Sequence, residues 1–392
     1  MAVTNAIGAL HAEMTRWRRD LHAHPELGFQ ETRTSAVVAG LLEEFGLTEV
    51  HRSVGRTGVV ATLRAGRSTR SVGLRADMDA LPIDEANAFD HRSCHQGRMH
   101  ACGHDGHTAM LLGAAKYLAR TRDFDGVVHF IFQPAEEGLG GAKAMVDEGL
   151  FEQFPMEAVY GMHNGPGLPV GSFAIRPGAM MAGGAFFDVA ITGVGAHGAR
   201  PEAGIDPVVV AAHITTALQT IVSRNARPID TVVLSITRIH GGEAYNVIPQ
   251  TARLSGTVRV FSRDSMQMVE ERMRQIAGGV AQGFGATAEV DFREVFLPLV
   301  NTPEETEFVA DVAASLVGED NVDRRRPLIM ASEDFSYMLN ACPGAYINIG
   351  NGDGEGACQV HNPGYDFNDE ILALGASYWV KLVESKLAKE AL

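Results

Sequence analysis

The stretch MHACGHDGH at 99–107 packs His100, Cys102, His104, Asp105 and His107 into nine residues. Thiolate and imidazole are preferred donors for zinc, and Cys102 and His104 stand one residue apart. The intervening Gly103 lets the backbone turn so that both can face one ion. A His-rich surface loop has the same composition, so the tract alone is a weak signal. In QPAEEG at 133–138, Glu136 and Glu137 follow an apolar run. Two adjacent carboxylates repel unless a cation or a proton compensates. One can then hold metal while the other takes a proton, although a solvated loop reads the same way. His163 in GMHN and His361 in HNPGYDF are lone histidines, more often structural than ligating. The set carries the argument. Cys102, His104, Glu137, His163 and His361 are too many donors for one tetrahedral site, and they suit two ions sharing ligands with an open position for water. Cys102 could instead be the nucleophile of a cysteine hydrolase. The acidic pair and the distant histidines favour a metal ligand.

These residues need a frame that brings distant segments together. Two helices are expected in the first forty-odd residues, one around Trp17 and Leu21 and one from Thr32 to Phe45 with Gly46 as its stop. Residues 57–63, 71–77, 126–134 and 157–164 read as strands rich in Val, Leu and Phe. Helices are expected at 108–118 and 141–150, the first from the spacing of Met110, Leu111, Ala114, Ala115 and Leu118. Alternating strands and helices imply an α/β fold with a parallel or mixed sheet, where ligands gather at strand ends. The middle of the chain changes character. Strands at 184–193, 231–239, 252–261 and 286–292 and helices at 206–223 and 265–283 give a β-α-β-β-α-β order, the ferredoxin-like pattern. A compact domain at 181–294, inserted between 1–180 and 295–392, is therefore expected. A helix at 303–316, a strand at 345–350 and a long helix at 370–388 resume the first domain. GNGDGEG at 350–356 reads as a loop without the Lys of a phosphate-binding loop.

The chain has 392 residues, of which 48 are acidic and 33 basic, for a net charge of −15. That excess argues against nucleic acid and against anionic membranes as partners. Four cysteines are too few for a disulfide scaffold. No window approaches a membrane span and no secretory signal is visible, so the expected compartment is the cytoplasm, where thiols stay reduced.

Eight motifs in order carry a resemblance. LRADMDALP (74–82), MHACGHDGH, QPAEEG, GMHN, VGAHGARPEAGIDP (194–207), NVIPQTARLSGTVR (246–259), SEDF (332–335) and HNPGYDFND (361–369) look like those of metal-dependent amidohydrolases. That family, within a wider metallo-exopeptidase superfamily, includes hippurate hydrolase, indole-acetyl-amino-acid hydrolases and N-acyl-amino-acid deacylases. The resemblance runs from HPELGF at 24–29 to HNPGYDFND and so covers most of the chain. It implies a two-domain α/β protein with a mixed-sheet catalytic domain and an inserted ferredoxin-like dimerisation domain. It implies two divalent ions per subunit (zinc, manganese, cobalt or nickel) held by Cys102, His104, Glu137, His163 and His361, with Cys102 bridging. Glu136 matches the general base. Asp77 and Asp79 match a segment beside the metals, where wider relatives carry His at the first position. His197 matches a residue reaching the substrate carbonyl from the partner subunit of a homodimer or dimer-based tetramer. Asn246 and Arg259 match contacts to the substrate's polar end. The implied reaction is hydrolysis of the amide bond of an N-acyl amino acid by a metal-activated water. A dinuclear dipeptidase acting on unblocked dipeptides would have the same site and a different substrate, whereas a non-catalytic metal or ligand binder on this scaffold predicts loss of the base or of ligands, and Glu136 and all five donors are present.

Overall fold

The computed structural model describes residues 2–353 and 358–389. The chain divides into two compact units. The larger comprises Met1–Met180, Val300–Pro327 and Asp334–Leu392, and the smaller comprises Met181–Leu299 and Leu328–Glu333.

The larger unit is built on an eight-stranded mixed sheet. Its strands run in the spatial order Glu49–Val54, Gly58–Ala65, Gly126–Gln133, Ser71–Asp77, Ala158–Pro166, Gly344–Gly352, Phe173–Ala174, Val322–Asp323. The four strands from Gly126–Gln133 to Gly344–Gly352 are mutually parallel. Ser71–Asp77 and Gly126–Gln133 are buried at every position, as strands covered by helices on both faces must be. Helix His104–Thr121 makes the crossover between these two strands, and its buried residues run through Met110, Leu111, Ala114 and Leu118. It packs against Leu372–Lys386. The parallel strands deliver Asp77, Gln133, His163 and the approach to His361 to one end of the sheet, because they all point the same way.

Several elements differ from the expectation. A short helix, Ala2–Gly8, precedes the expected pair His11–Ala23 and Thr32–Glu44. The crossover helix starts four residues earlier than its apolar spacing suggested. Gly103, at φ +98°, turns the chain into it, so the polar residues 104–107 form its first turn. The stretch 141–150 breaks in two, Gly141–Asp147 and Leu150–Gln153, because Gly149 takes φ +86° between them. Glu49–Val54, mostly exposed, is a strand with no apolar run to announce it. The Gly-rich stretch at 350–356 begins as strand, which runs to Gly352; residues 354–356 lie outside the described residues.

The smaller unit has a four-stranded antiparallel sheet in the order Val232–Gly241, Thr251–Val260, Gly183–Thr192, Thr287–Phe296. Helices Pro207–Thr220 and Arg263–Gly283 cover one face. Phe187, Val189, Ile191, Leu254 and Val258 pack there against Val210, Ile214, Val269 and Met273. Side chains alternate along each strand, so the opposite face carries the polar residues of the same strands. Asp206 caps the first helix by accepting from the Val208 and Val209 amides, and Ser262 caps the second through the Ser265 amide.

Candidate functional site

The larger unit brings all five expected donors together. The ligand atoms of Cys102, His104 and His163 lie within 4.8 Å of one another, and so do those of Cys102, Glu137 and His361. The two triads share Cys102. Its Sγ lies 3.3 Å from His163 Nε2. His361 Nε2 lies 3.2 Å from Glu137 Oε1, and His104 Nε2 lies 4.0 Å from the same oxygen. A third group of that size joins His104, Glu136 and Glu137. Adjacent in sequence, the two glutamates thus reach one pocket.

The outer nitrogens of two histidines are occupied. His104 Nδ1 is 3.2 Å from Asp79 Oδ1, so it donates there. His163 Nδ1 donates to the carbonyl of Asn164 at 2.7 Å. A ring that donates through Nδ1 turns the lone pair of Nε2 inward, which is the arrangement of a metal-ligating histidine. His104 Nε2 and Glu137 Oε1 are buried and make no hydrogen bond, although His361 Nε2 stands 3.2 Å from the carboxylate oxygen. Buried polar atoms are rarely left so. A cation at this place satisfies both, and the donor set of one thiol, three imidazoles and a carboxylate fits zinc or a neighbouring transition metal.

Electrostatics agree with that fit. Burial disfavours charge on His104, yet Asp77, Asp79 and Glu137 outweigh it and push the imidazole up to about 10. The pocket therefore favours positive charge at this point. Burial and then Glu137, Glu136 and Asp77 push the Cys102 thiol far above its usual range. A bound cation reverses this, because a coordinating thiol is deprotonated outright. Burial, followed by the charge of His107, holds His163 well below its usual value, so its ring is neutral.

Asp77 and Asp79 sit one layer out. Asp79 Oδ2 accepts the Glu137 amide at 2.9 Å, so one carboxylate steadies both His104 and Glu137. Asp77 receives His107 Nδ1 at 2.6 Å and Arg75 Nη1 at 2.7 Å, and lies 3.7 Å from His104 Nε2. Burial opposes its charge, but His104, Arg75 and His107 hold it well below the carboxylate range. Arg75, itself fully buried, also donates from Nε to Gln133 at 2.7 Å; Gln133 in turn donates to Asp334 at 2.7 Å.

Sequence reasoning left His107, Asn164 and Asp334 without roles. His107 Nε2 lies 2.7 Å from Asn164 Oδ1, and Asn164 Nδ2 donates to the Tyr365 hydroxyl at 2.6 Å. His107 is three residues after His104 on one helix, so both rings face the same way, with centroids 5.6 Å apart. That spacing was the available signal. A second buried network anchors the loop after His361. Arg18 donates to Asp366 at 2.6 Å and Asp369 at 2.7 Å, and lies 3.5 Å from Asp105. His22 bridges Asp105 at 2.9 Å and Glu85 at 3.1 Å. These carboxylates outweigh burial and push His22 up to about 9.

His197, Asn246 and Arg259 belong to the smaller unit. His197 pairs with Val247 in a two-residue ladder, and the Gly198 amide donates to the Asn246 carbonyl at 2.7 Å. His197 is exposed, and its Nδ1 accepts the Ala199 amide at 3.0 Å. That leaves the proton on Nε2, a donor facing outward. Arg259 lies on the open sheet face and donates to Thr257 Oγ1 at 2.6 Å and the Val258 carbonyl at 2.9 Å.

Residues 73–385 match the peptidase family M20/M25/M40. The chain belongs to that family. It is 42% identical over 376 residues to a hippurate hydrolase of Campylobacter jejuni, covering 95% of this chain and 96% of the relative. An N-acetylcysteine deacetylase of Bacillus subtilis is 37% identical over 375 residues, covering 95% and 97%. Among solved structures, a dinuclear metal binding peptidase of the M20 family from Bacillus subtilis superposes with a TM-score of 0.85 at 34% identity, over 97% of this chain and 99% of that one. Among the described residues, no helix is long and apolar enough to cross a membrane.

Proposed function

We propose that the chain is a metal-dependent amidohydrolase that cleaves the amide bond of N-acyl amino acids, releasing a carboxylic acid and an amino acid. The two donor triads sharing Cys102 carry this reading. Its family relatives include a hippurate hydrolase and an N-acetylcysteine deacetylase, both acting on this bond type. The cofactor is divalent metal. Two ions would be held by these donors, Cys102, His104 and His163 on one side and Cys102, Glu137 and His361 on the other, and zinc, manganese, cobalt and nickel would all accept them. When bound, such ions supply Lewis acidity and make water a nucleophile near neutral pH.

The chain's own residues do the rest. Glu136, buried beside His104 and Glu137, takes the proton from the attacking water and returns it to the departing nitrogen. Water's oxygen joins the acyl carbon as the carbon–nitrogen bond breaks, so the proton count closes. Asp77 and Asp79 hold the ligands in place from behind. His197 Nε2–H is a donor suited to a developing oxyanion. Asn246 and Arg259 hold the substrate's carboxylate end, with Arg259 able to pair with it through two parallel hydrogen bonds.

The smaller unit is an inserted ferredoxin-like dimerisation domain in this reading. Among the described residues its edge strand Val232–Gly241 is unpaired on one side, with Val233 and Ile239 exposed, and helix Pro207–Thr220 exposes Val208 and Val209. An open apolar edge invites pairing with a second copy. The expected setting is cytoplasmic, where Cys102 stays reduced. The test is release of amino acid from a panel of N-acyl amino acids and unblocked dipeptides, using metal-free protein reloaded with each metal in turn. Hydrolysis confined to the dipeptides overturns the reading.

A further inference from the structure

The open face of the smaller unit's sheet holds a cavity of about 600 Å³. Four arginines line it, Arg238, Arg253, Arg259 and Arg293, against a single carboxylate, Asp188. That volume is typical of small-molecule sites. Asp188 is already committed. It takes Arg253 Nη2 at 2.9 Å, Arg293 Nη2 at 2.7 Å and the Ser255 hydroxyl at 2.5 Å. Among the described residues, Arg238 and Arg259 have no carboxylate partner.

These two cations stand well apart along the cavity, with His240 and Arg253 lining it beyond Arg238. Arg238 pairs with Ser255, whereas Arg259, four residues further along that strand, pairs with Val233. At the rise of an extended chain the two rows are about 13 Å apart. The Arg259 guanidinium lies over Gly184 on the next strand; a Cβ there would stand 3.0 Å from its Nη1. The Ser332 hydroxyl, 3.3 Å from the same point, is buried and has no hydrogen-bond partner. Between the two arginines lies Phe186, 46% exposed, with Thr237 and Thr257 beside it. Two uncommitted cations with an aromatic ring between them describe the complement of an elongated dianion with an apolar middle.

We infer that this face is a binding site for small dicarboxylates, one acid on Arg259 and Ser332 and the other on Arg238. The inference shares Arg259 with the proposed substrate contact and so rests on that reading; what it adds is Arg238 as the seat of a second acid, which the variants below test separately. Arg253 is taken up by Asp188, and Arg293 by Asp188 and Asp291, so these two arginines are committed rather than free contacts.

The test compares pimelate with heptanoate, which has the same carbon count and one acid fewer, by calorimetry on the metal-loaded full chain at low ionic strength. Pimelate should bind at least tenfold more tightly, and added salt should erode the difference. Arg238→Ala should bring the two acids to within about twofold of each other. Arg238→Glu should do the same or reverse the order. Arg224→Ala, on an exposed turn outside the cavity, should leave the preference intact. Melting curves check that each variant is folded, and Arg238 is exposed, so its loss removes no core contact. No measurable pimelate binding, a preference under tenfold, or one that survives both Arg238 variants overturns the inference.

Discussion

Replacing Asp79 with Asn gives a sharp test of how the metal centre is held. The carboxylate accepts from His104 Nδ1 on one oxygen and from the Glu137 amide on the other. An asparagine of the same size offers only one acceptor oxygen. If that oxygen stays on His104, the new NH₂ group faces the Glu137 N–H, donor against donor. If it turns to Glu137, the same conflict falls on His104. One charge-assisted hydrogen bond is lost in either case, about 1.5–3 kcal/mol. At 1.36 kcal/mol per decade, that weakens metal binding by roughly 10- to 150-fold. The loss should concentrate on one ion, because in the two groups that share Cys102, His104 belongs to one and Glu137 to the other. Competition against a chromophoric chelator, titrated into metal-free protein, resolves the two affinities. Both affinities within about twofold of the parent, in a variant that still melts cooperatively, would refute the proposed holding role.

Other expectations concern the base, the partner subunit and pH. Glu136→Gln should lower turnover by about 10²–10⁴-fold while leaving bound metal, measured by atomic absorption, unchanged. Inactive Glu136→Ala and His197→Ala proteins, mixed and allowed to exchange subunits, should recover about a quarter of parental activity. Half the dimers are then mixed, and each carries one complete site. No recovery after proven exchange removes His197 from the partner's site. Burial pushes His129 down to about 4; its ring nitrogens lie 2.9 Å from the Thr62 hydroxyl and 3.2 Å from the Pro155 carbonyl. As pH falls below about 6.5, the unfolded chain takes up this proton before the folded one does. Stability is therefore lost between about pH 6.5 and 4, by up to about 3 kcal/mol from this residue, and no further below. In His129→Gln, denaturant midpoints should fall less steeply across that interval; an unchanged slope refutes the assignment.

The donors were legible because their motifs are short. Cys102 and His104, or Glu136 and Glu137, are neighbours in sequence, so their proximity needs no fold. The parallel sheet was legible in its apolar runs, which mark strands buried on both faces. The supporting layer was not. Arg75, Gln133 and Asp334 meet only because two parallel strands place Asp77 opposite Gln133 and the fold then brings back a residue some 200 positions later. Arg18 and Asp366 lie 348 residues apart; Asp366 stands in a motif, but nothing local ties that motif to Arg18. Helix boundaries moved where a single glycine decided the turn, as at Gly103 and Gly149, because backbone sign is invisible to apolar periodicity. Exposed Glu49–Val54 lacks the one signal, burial, that sequence reading weighs most.

Chain topology also has a consequence for biosynthesis. Smaller-unit residues 181–299 form one continuous run, and its sheet and both helices are complete within it. The larger unit must wait. Gly344–Gly352 lies inside its sheet, between Ala158–Pro166 and Phe173–Ala174, and His361 follows still later. At 5–20 residues per second, translation from residue 299 to 361 takes roughly 3–12 s. During that interval the nascent chain carries an insert complete but for Leu328–Glu333, and a sheet that still lacks Gly344–Gly352. Cys102, His104 and the acidic pair are already synthesised, but the fifth donor is not. The metal centre is thus closed by a segment made after the whole insert, and a product truncated before His361 would keep four donors without the complete site.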